Sequence, residues 1–245
     1  MERLDRANVI IRAFRAVDNP ELCLRFIEGH EKVLTSIGVD KLTSADYSWM
    51  KNPAAYVVLC TSLDGQKAYG GARVHVCGGN QELPLVSGVI EMDPTINEKV
   101  NAAKPMGTGE LCGLWNSLEV AGMGIGAIYV VRAAVAIISQ LGIRSCFALC
   151  SPMGAKISKR FGYEIRKDIG NKGTFYYPKQ DLLATMVFLE DALNLSGTPE
   201  DEKAKILELR DNPDLQIIEV NRGKEANITY DLDLEKVDKL VYDLG

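Results

Sequence analysis

The sequence predicts a mixed α/β (α+β) fold, a sheet flanked by helices with an α/β extension at the C-terminal end. Three observations predict it. Residues 109–163 read as strand, glycine turn, helix, strand, helix, with each change of periodicity marked by Gly or Pro. Two apolar runs, 54–63 and 67–77, flank Asp64-Gly65 and read as a hairpin. Ser196-Gly197-Thr198-Pro199-Glu200 then breaks the chain ahead of a charged helical pattern. The division expected is a domain over 1–190 and an extension over 191–245.

At 245 residues, with 47% apolar and 25% charged, the chain has the composition of an ordinary globular protein. The six cysteines form no CxxC pair and sit in apolar runs, which suggests reduced, buried thiols and a cytoplasmic setting. His30 and His75 are the only histidines, too few to suggest a zinc site, and no metal is expected. Val9 to Ile11 is broken by Arg12 and Arg15, which spoils a signal-peptide core. The apolar helix after Gly126 is interrupted by Arg132, so no membrane span is expected. The net charge of −5 argues against a nucleic-acid partner. Locally the balance reverses. From Gly122 to Lys167 there are seven basic residues and one acid, Glu164, a net of +6, which suits a polyphosphate ligand.

In chain order, residues 1–17 carry Arg3 with Arg6 and Arg12 with Arg15 at helical spacing, and are read as an amphipathic helix. Asp18-Asn19-Pro20 stops it and caps a second helix, Glu21 to Ile37. In the strand after the Asp64-Gly65 turn, Arg73 and His75 are two apart and so share a face. Residues 78–108 are long for a loop and too apolar for a solvated one (Leu85, Val86, Val89, Ile90, Ile96), so they are expected to hold structure of their own. That apolar surface either extends the core or lines a pocket for an acyl chain. Past the 109–163 block, Tyr163 to Asp168 and Thr174 to Tyr177 read as a hairpin, and Leu182 to Leu189 as a strand or short helix. The extension reads as a helix (Glu200 to Arg210), two strands (Leu215 to Val220, Ala226 to Leu232) and a last helix (Leu234 to Leu244). Its role is open between packing, homodimerisation and covering a substrate.

The turn at 122–127 is the chemical centre of this pattern. A glycine turn feeding a helix N-terminus gathers unpaired backbone N–H groups and the positive end of the helix dipole at one point, which favours phosphate. Met123-Gly124-Ile125-Gly126-Ala127 resembles the pyrophosphate loop of the GNAT superfamily, the CoA-dependent N-acyltransferases, and Ser151 to Tyr163 is similar to that family's fourth helix. The loop's usual Gln and Arg are replaced by Ala121 and Met123, and Ser158 stands where a tyrosine general acid often does. A long segment between the third and fourth strands, opened by Ala72-Arg73 and closed by Glu110-Leu111-Cys112-Gly113, is similar to that of acyl-homoserine-lactone synthases and N-acyl amino acid synthases. Those carry Ala-Arg and Glu-Leu-Ser-Arg there, and the final arginine is missing from this chain.

The resemblance implies a twisted, mostly antiparallel sheet and transfer of an acyl group from acyl-CoA or acetyl-CoA, or from an acyl carrier protein, to a small-molecule amine. It implies a donor site formed by Trp115, Asn116, Leu118, Gly122, Met123, Gly124, Ile125, Gly126, Ala127 and Ser151. Glu110 is the candidate general base with Glu119 as its alternative, Ser158 the candidate acid with Tyr163, Tyr176 or water in reserve, and Arg73 and His75 the candidate acceptor contacts. Two other readings stand beside it. One is a fold of this kind that has lost its chemistry and only binds an acyl carrier or a protein partner. The other is a dinucleotide site, since Gly122-x-Gly124-x-x-Ala127 matches that fingerprint. The fingerprint needs an acid about 20 residues on, and none lies between Ala121 and Tyr163.

Overall fold

The computed structural model describes residues 6–39 and 47–234. Ten strands form one sheet: β1 (Ala7–Arg15), β2 (Ala55–Ser62), β3 (Ala68–Val76), β4 (Thr108–Asn116), β5 (Ser145–Cys150), β6 (Glu164–Ile165), β7 (Thr174–Tyr176), β8 (Leu183–Leu189), β9 (Gln216–Asn221) and β10 (Lys224–Asp231). They lie in the order β6-β8-β5-β4-β3-β2-β1-β10-β9, with β7 also on β8. Only β4–β5 and β1–β10 are parallel. Six α-helices flank the sheet: α1 (Pro20–Ser36), α2 (Pro84–Val89), α3 (Thr95–Ala103), α4 (Ala127–Ile137), α5 (Pro152–Ser158) and α6 (Glu200–Asp211).

The β2–β3 hairpin forms as the sequence predicts. Gly65 takes φ 69° at the turn, and the Asp64 carboxylate accepts the Gln66 N–H at 3.0 Å. The cap on the second expected helix also forms, since the Asn19 side chain accepts from Leu22 N–H and Pro20 occupies the first turn. Residues 7–15, expected to be helical, are a strand. Val9, Ile11 and Ala13 bury on one face while Arg6 and Arg12 pair on the other with Glu225 and Asp231 of β10. The arginine spacing imitates a helix, and the β-branched run Val9-Ile10-Ile11 wins because strands wait on both sides, β2 and β10.

Segments 163–168 and 174–177, read as a hairpin, do not pair through their strands. β6 and β7 each lie on β8, which supplies the edge both of them use. Leu183–Leu189 is a strand. The segment 78–108 holds α2 and α3, and its apolar side chains extend the core. Leu85, Val86, Val89 and Ile96 pack with Phe147, Ile169, Phe175 and Met186. The extension supplies α6, β9 and β10 much as expected, and the expected helix 234–244 falls almost wholly outside the described residues.

The two faces of the sheet are buried differently. On one, α4 and α6 cover Val9, Ile11, Val58, Val74 and Leu111 in the main core. There the Arg132 guanidinium, 2% exposed, donates to Glu202 and to Glu219, which ties α4 to α6 and β9. Burial works against the guanidinium's charge, and the two carboxylates outweigh it and hold the charge in place. The other face carries α1 at one end and α2 with α3 at the other.

Candidate active site

The second face places polar groups between its two apolar clusters. His75 of β3 sits opposite Glu110 of β4, and Arg73 opposite Cys112, so all four side chains share that face. Gly113, at φ 58°, shifts the register after them, so that Gly71 next faces Trp115. A Cβ on Gly113 would lie 3.1 Å from the Arg73 Nε, so glycine there also makes room for the guanidinium. Trp115 then turns onto α1, where its ring occupies the space a side chain at Gly29 would need. Phe26 meets Trp49 and Trp115 edge-on at 5.8 and 5.9 Å, which makes an aromatic floor.

Arg73 is 2% exposed and lies over the Trp49 ring at 4.5 Å. Among the described residues it forms no ion pair with a carboxylate, and its Nε has no hydrogen-bond partner. His75 is 1% exposed with both ring nitrogens unpartnered, and burial, reinforced by the Arg73 charge, holds it neutral well below its usual range. The same two causes lower His30, on α1, to about 4. A charged donor, an unpartnered indole N–H on Trp115 and two neutral imidazoles therefore line one buried region. Buried donors of this kind are costly unless something binds them.

Glu110 is 2% exposed, and one of its carboxylate oxygens accepts the Leu85 N–H of α2 at 2.8 Å. Burial raises its carboxyl from 4.5 to about 7, an effect that the Leu85 amide and the Arg73 charge temper. A carboxylate poised near neutrality suits a general base. The insertion thus contacts the candidate base directly.

Beside Glu110 the sheet opens. β4 and β5 pair only from Thr108–Ser145 to Glu110–Phe147, and beyond that point β4 pairs with β3 alone. The wedge leads to the glycine turn. Gly122 and Gly124 take φ 79° and 80°, and Gly126 is the N-cap residue of α4. Within the turn Met123 N–H donates to Val120, and the amides of Gly124, Ile125, Gly126 and Ala127 have no backbone partner among the described residues.

The structure brings Glu110, Arg73 and His75 together, and Trp115 to Ala127 follow in the chain beyond the last β4–β5 pair. Trp115 is buried with its indole toward α1, and the Asn116 side-chain oxygen is buried against Gly70. Leu118, Glu119 and Met123 are exposed at the turn. The Ser151 hydroxyl caps α5 by accepting from Gly154 N–H. Ser158 is buried beside the Cys150 thiol, on the face opposite Glu110. Tyr163 is buried against Cys146, and Tyr176 is 66% exposed. The sequence reading did not find His30, Phe26, Trp49 or Cys112. His30 carried a signal, being one of only two histidines, whereas the aromatic residues carried none.

No helix is long and apolar enough to cross a membrane, and no group of His, Cys, Asp and Glu is arranged to hold a metal, among the described residues. No protein-family model matches the sequence, and no curated protein does. Solved structures match its fold. An N-acyl amino acid synthase from uncultured soil microbes aligns over 78% of this chain and 94% of its own, at 13% identity and a TM-score of 0.56. A CoA-dependent acyl-homoserine lactone synthase, solved with S-adenosylmethionine and isopentyl-CoA, aligns over 84% and 90%, at 13% identity and a TM-score of 0.53. The chain has a GNAT-like fold, a mostly antiparallel twisted sheet flanked by helices, with an insertion of the kind found in those synthases.

Proposed function

We propose that the protein transfers an acyl group from an acyl-CoA thioester to the amine of a small molecule that also carries a carboxylate. The observation that carries this reading is the pairing of Glu110 with the Arg73–His75 face on adjacent strands, at the point where β4 and β5 part. The thioester lies in the wedge, with its diphosphate at the amides of Gly124 to Ala127 and the helix dipole of α4. The acceptor's carboxylate pairs with Arg73, whose planar guanidinium suits that partner. Glu110 takes a proton from the ammonium group. The nitrogen lone pair forms the C–N bond, the nitrogen gives up its second proton to water, the C–S bond breaks, and the departing thiolate takes the proton held by Glu110. A thiolate leaves readily, so Ser158 in place of a tyrosine does not stop the reaction.

The supporting similarity is to an N-acyl amino acid synthase and a CoA-dependent lactone synthase, which share the fold. The test is thiol release, with product mass, from acyl-CoAs of two to fourteen carbons offered to α-amino acids and to the same amines lacking the carboxylate. Turnover with the amino acids and little without the carboxylate is expected. An acyl-CoA that raises the melting temperature but is turned over with none of the amines would mark a binding protein instead.

A further inference from the structure

The C-terminal hairpin reaches the glycine turn. β9 and β10 are joined through Arg222-Gly223, both in the left-handed region (φ 52° and 75°), the geometry of a tight two-residue hairpin. A Cβ built on Gly124 would lie 3.0 Å from the Lys224 carbonyl oxygen and 3.1 Å from the Lys224 Cβ. One built on Gly126 would lie 2.6 Å from the Asn221 Nδ2. Gly124 needs to be glycine for its φ of 80° alone. Gly126 does not, since its φ of −140° suits any residue. A side chain there would have to displace the Asn221 carboxamide.

The hairpin's position relative to α4 is fixed at two places. β10 runs along β1 from Ala226–Ala7 to Asp231–Arg12. Glu219 of β9 and Glu202 of α6 hold Arg132, five residues into the helix that the turn starts. The turn, the helix and the hairpin therefore form one braced unit, although about 95 residues separate Gly126 from Asn221. A turn this rich in glycine has many conformations open to it, and a ligand bound by backbone amides needs one of them.

We propose that the C-terminal hairpin is a brace for the glycine turn. Asn221 and the backbone of Lys224 hold residues 122–126 in the conformation that binds the donor's diphosphate, so Asn221 is a positioning residue for the donor. The inference rests on the donor reading above. It also gives the extension a role that neither packing alone nor dimerisation supplies.

The experiment compares acyl-CoA with acyl-pantetheine, which has the same thioester without the diphosphate. Asn221→Ala, with Asn221→Ser as the milder variant, is expected to raise the KM for acyl-CoA about tenfold. The kcat should stay within twofold, and the KM for acyl-pantetheine and for the amine should not move. Gly126→Ala should act in the same direction, and the double variant should be no worse than Gly126→Ala alone, because both changes break one contact. Equal shifts for both donors, or an unchanged acyl-CoA KM in the two single variants, would overturn the brace. A wild-type protein that uses both donors equally well would instead remove the diphosphate from the turn, and the brace with it.

Discussion

Among the described residues each face of the sheet buries one arginine, and the two are treated oppositely. Arg132 and Arg73 are both 2% exposed. Arg132 is met by Glu202 and Glu219, with Arg160 and Lys205 at 3.5 and 3.7 Å from the same carboxylates. Arg73 is met by Trp49 and Phe26 rings, and its two histidine neighbours are held neutral. A buried guanidinium closed by its own protein's carboxylates is structural, and removing one member strands the others. A buried guanidinium among rings and neutral imidazoles, near Glu110 but in no ion pair with it, has its strongest interaction left to make. The first arginine joins the extension to the core, and the second is where the proposed acceptor's carboxylate would pair.

The largest effect is expected on the face of Arg73. Glu110→Gln should lower turnover roughly 10²- to 10⁴-fold while donor affinity stays nearly intact. In the wild type, kcat/KM should rise with pH through about 7 as Glu110 loses its proton, and this limb should vanish in the variant. Stability moves the other way. The folded carboxyl titrates at about 7 against 4.5 as its unperturbed value, so its contribution is full below 4.5 and lost as pH rises through 7. Above pH 7 the glutamine variant should therefore be the more stable protein, by up to about 3 kcal/mol. Turnover at the wild-type level across the pH range would move the base to Glu119 or to water.

Arg132→Met is the matching break on the other face. It leaves Glu202 and Glu219 buried with only the longer contacts to Arg160 and Lys205, a loss of up to about 3–5 kcal/mol. At this chain length that lowers the melting temperature by roughly 10 °C. Arg73→Met breaks no ion pair and takes from Glu110 only the charge that tempers its burial, so it should cost less, at most about 2 kcal/mol in lost ring contacts. Its effect should fall on the acceptor instead, raising the KM for a carboxylate-bearing amine about 10- to 100-fold and leaving the KM of the decarboxylated amine unchanged. Thermal melts and acceptor kinetics on the two variants together decide the matter. Equal destabilisation by both would erase the distinction between the arginines.

The contrast also explains what was legible in the sequence. The 109–163 block was readable because local chemistry sets it: Gly122 and Gly124 at positive φ, Pro152 in the first turn of α5, and Gly142 ending the short 3-10 turn Ile138–Leu141. β1 was not, because its arginines answer to partners 219 residues away, Arg6 to Glu225 and Arg12 to Asp231. The site follows the same rule. Glu110, Arg73 and His75 stand out singly by type and spacing. Trp49 and Asn221 enter only when the chain returns to them, and nothing local distinguishes Asn221 from any polar residue at a hairpin end.

A smaller effect is expected in the insertion. Val89 is 1% exposed within the cluster of α2, α3, Phe147 and Met186, which stands beside Glu110. Val89→Trp overpacks it, at about 1–3 kcal/mol of stability. If the donor's chain enters this cluster, the preferred acyl chain shortens as well, at about 0.8 kcal/mol for each methylene that loses its place. An acetyl preference in the wild type, or a preference that Val89→Trp does not change, would assign the insertion to packing alone.

The smallest effect is expected at Ser158. Its hydroxyl is buried beside the Cys150 thiol, which burial pushes up to about 12, and Cys150 lies on the face of the sheet away from Glu110. For Ser158 to protonate the leaving thiolate, the hydroxyl would have to exchange that contact for one in the wedge. A CoA thiolate at neutral pH gains little from a serine, whose hydroxyl is far the weaker acid. Ser158→Ala should therefore change turnover by less than about twofold, and cost on the order of 1 kcal/mol for the lost buried hydrogen bond. A drop of 10²-fold or more, with the melting temperature held, would show that chemistry crosses the sheet. In that case the two faces could no longer be separated into one that holds the fold and one that does the work.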